Sequence, residues 1–176
     1  TRGESAASEK PDTAHGIYYL NNLFFDSGDG PPAIVDWQMS GPSNPLLDVA
    51  FFLSRSVTSG VRREMEREAV ETYWEALRLA GVDGFGLETC WRHYRMSMLF
   101  SLLFMVNGAG ALGSGDRLDR QGFEAILRRV TAAVDELDAA EFVPGRRRLL
   151  SVGSAISVLS RLAAGSTMGY GGGKRS

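Results

Sequence analysis

Residues 15–48 decide the fold of this chain, and they read HGIYYLNNLFFDSGDGPPAIVDWQMSGPSNPLLD. Two short apolar runs, 22–25 and 33–36, enclose a dense set of turn-forming residues at 26–32. This arrangement predicts a β-hairpin with a loop of moderate length. A second group of Gly, Pro and Asn residues at 40–45 then separates the hairpin from the rest of the chain.

Beyond this second group the apolar residues recur at helical spacing. The pattern predicts helices over about 45–53, 61–77, 87–106, 123–137 and 147–163. Glycines at 81 and at 108–115, and the pair Pro144-Gly145, are expected to end the second, third and fourth of them. The third helix is apolar on nearly all sides from Met96 onward, which predicts the centre of a helical bundle. Strands followed by helices indicate an α+β fold.

The composition is that of an ordinary globular protein, with 19 basic and 21 acidic residues and a net charge of −2. Nothing in this balance points to nucleic acid or to an anionic membrane as a partner. The longest apolar stretch, 96–106, is shorter than the roughly 20 residues that a membrane span requires. The single cysteine, Cys90, lies in an apolar helical pattern and is predicted to be an inert core residue. These features predict a cytoplasmic protein.

Two polar residues that could bind a ligand flank the predicted hairpin. Asn22 stands at the start of the first predicted strand and Asp36 at the end of the second. Because a hairpin places these positions side by side, an amide oxygen and a carboxylate should converge there. Such hard oxygen donors suit Mg²⁺. The sequence therefore predicts a magnesium site formed by Asn22 and Asp36.

Three blocks in this region resemble those of a known family. Residues 15–22 resemble the catalytic loop H-G-D-x-x-x-x-N of the aminoglycoside phosphotransferase, choline kinase and ecdysteroid kinase-like group. Residues 34–38 (IVDWQ) are similar to the group's I-D-W-[EQ] segment, and residues 41–53 to its block G-x-P-x-x-D-[LV]-A. The resemblance implies a protein-kinase-like C-terminal lobe over 13–142, with a linker at 1–12, an additional helix at 143–164 and a disordered tail at 165–176.

The resemblance also implies roles for individual residues. Asn22 and Asp36 would bind Mg²⁺, His15 would order the catalytic loop by hydrogen bonding, and Asp48 would anchor that loop from the following helix. The implied activity is transfer of the γ-phosphate of ATP to a hydroxyl group of a small molecule. The helices that follow the metal motifs would shape the acceptor pocket, and their sequence names no acceptor.

The chain departs from the family pattern in two respects. Ile17 occupies the position of the catalytic Asp, and an isoleucine can neither accept nor orient the proton of an acceptor hydroxyl. The family's nucleotide-binding N-terminal lobe has no counterpart in the twelve residues before the first block. These departures predict a catalytic-lobe fragment of a phosphotransferase. Two alternatives are a catalytically inactive pseudokinase or small-molecule-binding module, and a truncated gene product without activity.

One further motif has a structural interpretation. Residues 108–113 match G-x-G-x-x-G, the glycine pattern of dinucleotide and phosphate loops. They follow a predicted helix rather than a strand, and no helix opening comes directly after them. The segment is therefore predicted to be a loop that ends a helix.

Overall fold

The computed structural model describes residues 13–28, 30–82, 84–111 and 117–143. The predicted linker at 1–12, the predicted helix over 147–163 and the predicted tail at 165–176 lie outside these described residues.

Four two-residue strands form two small antiparallel pairs in the described part of the chain. Strand β2 (Leu23–Phe24) pairs with β3 (Ala33–Ile34), with Leu23 opposite Ile34. This pairing confirms the predicted hairpin. Strand β1 (Thr13–Ala14) pairs with β4 (Gly41–Pro42), which the sequence pattern did not predict because two-residue strands leave no alternation to detect.

Helices follow the strands, so the predicted α+β fold is confirmed. Their bounds are α1 Leu46–Arg55, α2 Ser59–Leu79, α3 Leu87–Ala111 and α4 Arg117–Glu136. The Thr58 hydroxyl caps α2 by accepting a hydrogen bond from the Val61 N–H, and Gly81 follows its end with a φ of +81°. The helices enclose one apolar core, whose fully buried members include Leu46, Ala50, Val70, Tyr94, Met98, Ala133 and Val134. Cys90 is buried in this core, as predicted, and burial raises the pKa of its thiol.

The predicted end of α3 was several residues too early. Helix α3 continues through Gly108 to Ala111, so the first four residues of the G-x-G-x-x-G match are helical. A methyl group on Gly108 would lie 3.8 Å from the Phe123 ring, which shows how closely α3 and α4 approach at this point. Helix α4 ends at Glu136, within one residue of the predicted end, and Asp138 follows it in a left-handed conformation with a φ of 48°.

Helix α3 contacts α1, α2 and α4, as predicted for the centre of the bundle. Its inner face is buried through Tyr94, Met98 and Met105, whereas Phe100 and Leu103 on the opposite face remain exposed. The apolar residues on all sides of α3 therefore form two faces, and in the described structure only one of them contacts the core.

A buried ionic cluster joins α2, α3 and α4. The Arg62 side chain, only 1% exposed, forms ion pairs with Glu66 on its own helix and with Glu136 of α4. The Tyr94 hydroxyl of α3 donates to Glu66 Oε2 at 3.0 Å. Burial and the adjacent Glu66 carboxylate raise the pKa of Tyr94, so this hydroxyl remains a donor at physiological pH. Three helices thus share one set of charge-assisted hydrogen bonds.

Substitution Arg62→Leu should destabilise the fold by about 3–5 kcal/mol, because it leaves the buried Glu66 carboxylate without its cation. The matched control is Arg63→Leu, which removes an ion pair with the same Glu136 from a side chain that is 55% exposed. The control should cost less than about 1 kcal/mol. Urea denaturation measures both free energies of unfolding, and equal losses would contradict the importance of the buried cluster.

Candidate functional site

The hairpin brings the two candidate metal ligands to the same end of the β2–β3 pair. The carbonyl oxygen of Asn22 accepts a hydrogen bond from the Val35 N–H at 3.0 Å, which extends the pairing by one residue beyond the strands. Asp36 is the next residue after Val35. The backbone at Asn22 is therefore held beside the segment that carries Asp36.

The side chain of Asn22 is oriented by a contact inside the loop. Asn22 ends a 3₁₀ turn, Leu20–Asn22, and its side chain is buried. Its Nδ2 donates to the carbonyl oxygen of Ile17 at 3.0 Å. Because the amide nitrogen is used in this way, the Oδ1 atom points in the other direction and is the atom suited to a cation.

Asp36 has an unusual backbone conformation. Its φ of 65° and ψ of 57° lie in the left-handed region, which costs a non-glycine residue about 1–3 kcal/mol. It precedes the 3₁₀ turn Trp37–Met39, yet its carboxylate makes no capping hydrogen bond to that turn. The side chain is exposed. Asp36 thus combines a left-handed backbone with an exposed side chain.

His15 connects the loop to the strand that leads to Asp36. Its ring is buried and Nε2 lies 2.9 Å from the carbonyl oxygen of Val35. Because a carbonyl oxygen only accepts, Nε2 carries the proton. The ring also makes edge contacts with Tyr18 and Trp37, at centroid distances of 5.9 and 4.8 Å. His15 therefore contacts backbone and aromatic groups on both sides of the site.

Asp48 holds the same loop from α1. Its two carboxylate oxygens accept hydrogen bonds from the backbone N–H groups of His15, at 2.6 Å, and Gly16, at 2.8 Å. Asp48 lies in the first turn of α1, where the helix dipole favours a negative charge. One carboxylate therefore fixes two consecutive peptide units more than thirty residues earlier in the chain.

Gly16 allows the loop to pack against the turn after Asp36. Its φ is +90°, and a Cβ atom at this position would lie 2.6 Å from the carbonyl oxygen of Met39. Only glycine meets both conditions without a shift of the backbone. Gly16 thus brings the loop into contact with the Trp37–Met39 turn.

Other contacts hold the loop from the far end of α1, and the motif comparison did not identify them. The Leu20 N–H donates to the Ser56 hydroxyl at 2.9 Å. The Arg55 guanidinium lies over the rings of Phe51 at 4.3 Å, Phe104 at 4.9 Å and Tyr19 at 5.1 Å. Burial lowers the pKa of Arg55. These residues stand at the end of a helix in no recognisable pattern, so only their positions in space reveal the contact.

Ile17 contributes a backbone contact to the loop and a buried side chain to the packing. Its carbonyl oxygen accepts the hydrogen bond from Asn22, while its side chain is only 5% exposed and packs inward. An ionised carboxylate at this buried point would be costly. The isoleucine therefore suits the local packing and supplies no proton acceptor.

The donor set at the end of the hairpin fits a divalent cation. One carboxylate and one amide oxygen are the hard ligands that Mg²⁺ accepts, with water and phosphate oxygens completing its shell. Among the residues that the structure describes, no group of three or more His, Cys, Asp and Glu side chains is placed to hold a metal ion. A cation here would thus depend on the Asn22–Asp36 pair and on ligands from elsewhere.

A cavity of about 520 Å³ lies beside the loop, and its lining includes His15, Trp37, Asp48, Phe52 and Tyr73. Its walls are mainly apolar, and its volume is within the usual range for a small-molecule site. Neither candidate metal ligand lines it. The cavity thus contacts the loop through His15 and Tyr18 and is separate from the Asn22 and Asp36 side chains.

None of the described helices combines the length and apolar character that crossing a membrane would require.

Substitution Asp48→Asn should release the loop, because an amide offers one oxygen and turns its NH₂ group toward the second N–H donor. A hydrogen bond to a charged acceptor contributes about 1.5–3 kcal/mol, and a loss within this range is expected. Amide hydrogen exchange should show faster exchange at His15 and Gly16. The control Asp26→Asn changes a carboxylate that accepts from its neighbour Ser27 in the exposed hairpin loop. Unchanged protection at His15 and Gly16 in Asp48→Asn would contradict the anchoring role.

Comparison with known proteins adds one match. Residues 13–80, less than half of the chain, match the family model of the ecdysteroid kinase-like family. No curated protein and no solved structure matches the chain significantly. The matched segment contains the loop, both strand pairs and helices α1 and α2. The match supports the kinase-like family that the three motif blocks indicate, and at the family level it points to a small-molecule kinase-like protein.

Proposed function

We propose that this chain contributes the metal-holding part of an ATP- and Mg²⁺-dependent phosphotransferase that acts on a hydroxyl group of a small molecule. The observation that carries the proposal is the hydrogen bond from Val35 to Asn22, which holds the backbone before Asp36 beside Asn22. The family match over 13–80 supports the same conclusion at a coarser level.

Four residues have distinct roles in this proposal. Asn22 would offer its Oδ1 atom and Asp36 its carboxylate to the metal, while the Asn22 amide nitrogen remains bonded to Ile17. His15 and Asp48 would position the loop without contacting the reacting groups. A bound Mg²⁺ supplies charge neutralisation for the phosphate oxygens during transfer.

The metal site can be tested with Mn²⁺, a paramagnetic substitute for Mg²⁺. Titration followed by electron paramagnetic resonance should show weaker binding in Asp36→Asn by about tenfold or more, since even indirect partners of a metal typically contribute at least that factor. NMR signals of residues 22 and 36 should broaden first. Asp26→Asn, in the loop at the opposite end of the hairpin, is the control. Equal Mn²⁺ affinity in all three proteins would contradict the proposed ligands.

Ile17 favours a second candidate function, namely a kinase-like binding module without turnover. Its buried side chain cannot receive the proton of an acceptor hydroxyl. The neighbouring polar side chains, Tyr18 and Tyr19, carry phenol groups, which do not replace a carboxylate as a proton acceptor. In this candidate the site would bind a metal and a nucleotide or acceptor and would release them unchanged.

Turnover distinguishes the two candidates. Loss of a general base typically reduces the rate about 10²–10⁴-fold, so this chain should show no phosphorylation of small alcohols above the background of Asp36→Asn. If the site is a phosphotransferase that lacks its base, Ile17→Asp should raise transfer of radiolabelled γ-phosphate, with circular dichroism confirming the fold. Robust transfer by the unmodified chain would contradict the role assigned to position 17. Binding of Mg-ATP without transfer in both proteins would favour the binding module.

A further inference from the structure

The last turn of helix α1 is tied to two other helices. The Ser54 hydroxyl lies 2.9 Å from the Ser101 hydroxyl of α3, and both residues are buried. The Arg129 side chain of α4 donates from Nη1 to the Arg55 carbonyl oxygen at 3.1 Å. This donor satisfies one of the carbonyl groups that the end of a helix leaves without an intrahelical partner. The end of α1 is therefore a fixed support for the groups that pack on it.

Arg55, the last residue of α1, is a cation whose contacts are aromatic rather than ionic. None of the ion pairs among the described residues includes it. Its Nε and Nη1 groups are buried and have no hydrogen-bond partner in the described structure. The guanidinium lies instead over the rings of Phe51, Phe104 and Tyr19. Such contacts are strongest when the cation is desolvated, as this one is.

Two of these rings belong to the helices and the third belongs to the loop. Phe51 lies one turn before Arg55 on α1, and its ring packs edge-on against Phe104 of α3 at a centroid distance of 5.2 Å. Tyr19 is the residue directly before the 3₁₀ turn that ends at Asn22. One guanidinium therefore joins the loop to both α1 and α3.

The segment that Arg55 contacts leads directly to Asn22. The Tyr19 carbonyl oxygen accepts a hydrogen bond from the Asn22 N–H at 2.9 Å. The Leu20 N–H donates to the hydroxyl of Ser56, the residue after Arg55, at 2.9 Å. Consecutive residues at the end of α1 thus hold consecutive residues of the loop.

The two ends of α1 hold the two ends of the loop. Asp48, in the first turn, accepts two backbone N–H groups where the loop begins. Arg55 and Ser56 contact the loop just before Asn22. Because the Asn22 side chain bonds back to the Ile17 carbonyl oxygen, within the loop, its orientation depends on both ends.

We propose that Arg55 is a positioning residue for the candidate metal ligand Asn22. The guanidinium fixes the Tyr19 ring on α1 and α3, and the Tyr19 carbonyl oxygen fixes the backbone of Asn22. Arg55 acts through Tyr19 and has no part as a ligand. The inference rests on the proposed function, because that function assigns a cation to Asn22.

Substitution Arg55→Met tests this role, because it removes the planar cation and keeps a long, flexible apolar side chain. Amide hydrogen exchange should become faster at Leu20 and Asn22 and should not change at residues 15 and 16. Mn²⁺ binding, followed by electron paramagnetic resonance, should weaken by about threefold or more, less than the roughly 10–100-fold typical of a residue bonded directly to a metal ligand. A general loss of stability would instead raise exchange at both ends of the loop.

The matched control is Arg67→Met. The Arg67 guanidinium lies over the Trp91 ring at 3.6 Å and joins α2 to α3 rather than to the loop. This variant loses the same kind of contact, so exchange at residues 20 and 22 and the Mn²⁺ affinity should match those of the unmodified chain.

Substitution Tyr19→Leu removes the ring from the other side of the contact, and it replaces Arg55→Met if that variant does not fold. The double variant should lose no more Mn²⁺ affinity than the weaker-binding single variant, because both substitutions remove one shared contact. Additive losses would contradict a role of Arg55 that acts through Tyr19.

Two results for Arg55→Met would overturn the inference. One is exchange at Leu20 and Asn22 equal to that of the unmodified chain, and the other is faster exchange with no change in Mn²⁺ affinity. Failure of the unmodified chain to bind Mn²⁺ would count against the proposed function alone. The exchange measurement would then still decide whether Arg55 fixes the segment before Asn22.

Discussion

The carboxylate of Asp48 is the constraint on which the site depends. A loop that bends at Gly16 exposes backbone N–H groups that no neighbouring strand can satisfy, and Asp48 accepts two of them from the first turn of α1. Without this acceptor, both N–H groups would need partners at a point where the loop is buried against the helix. The position of the loop relative to the helices is therefore set by one side chain that is distant in sequence.

Two further sets of contacts fix the loop that Asp48 anchors, one along the loop and one across it. Along the loop, the Asn22 amide nitrogen donates to the Ile17 carbonyl oxygen, which leaves the amide oxygen without a part in this bond. Across the loop, His15 and Gly16 contact the segment around Asp36 through the Val35 and Met39 carbonyl groups. The contact at position 17 uses the Ile17 carbonyl oxygen, so it does not depend on the identity of that side chain.

The helices support the loop and are joined by buried ionic and apolar contacts. The Arg62 cluster joins α2 and α4, with Tyr94 of α3 bonded to Glu66, and the core residues pack behind it. Phe100, Leu103 and Phe104 of α3 line a groove together with Met39, the last residue of the turn after Asp36. Side chains of α3 therefore lie next to that turn.

The sequence by itself determined the order and type of the elements, since turn residues at 26–32 and helical apolar spacing beyond residue 45 are local signals. The resemblance of three motif blocks added the loop, with Asn22 and Asp36 as candidate ligands and His15 and Asp48 as candidate positioning residues. Local signals could not reveal the β1–β4 pair or the contacts of Arg55 and Ser56. They also could not show that Phe100 and Leu103 are exposed in the described structure, because periodicity reports that a residue is apolar and does not report what covers it. Those features depend on residues that are far apart in the chain, and only the tertiary structure brings such residues together.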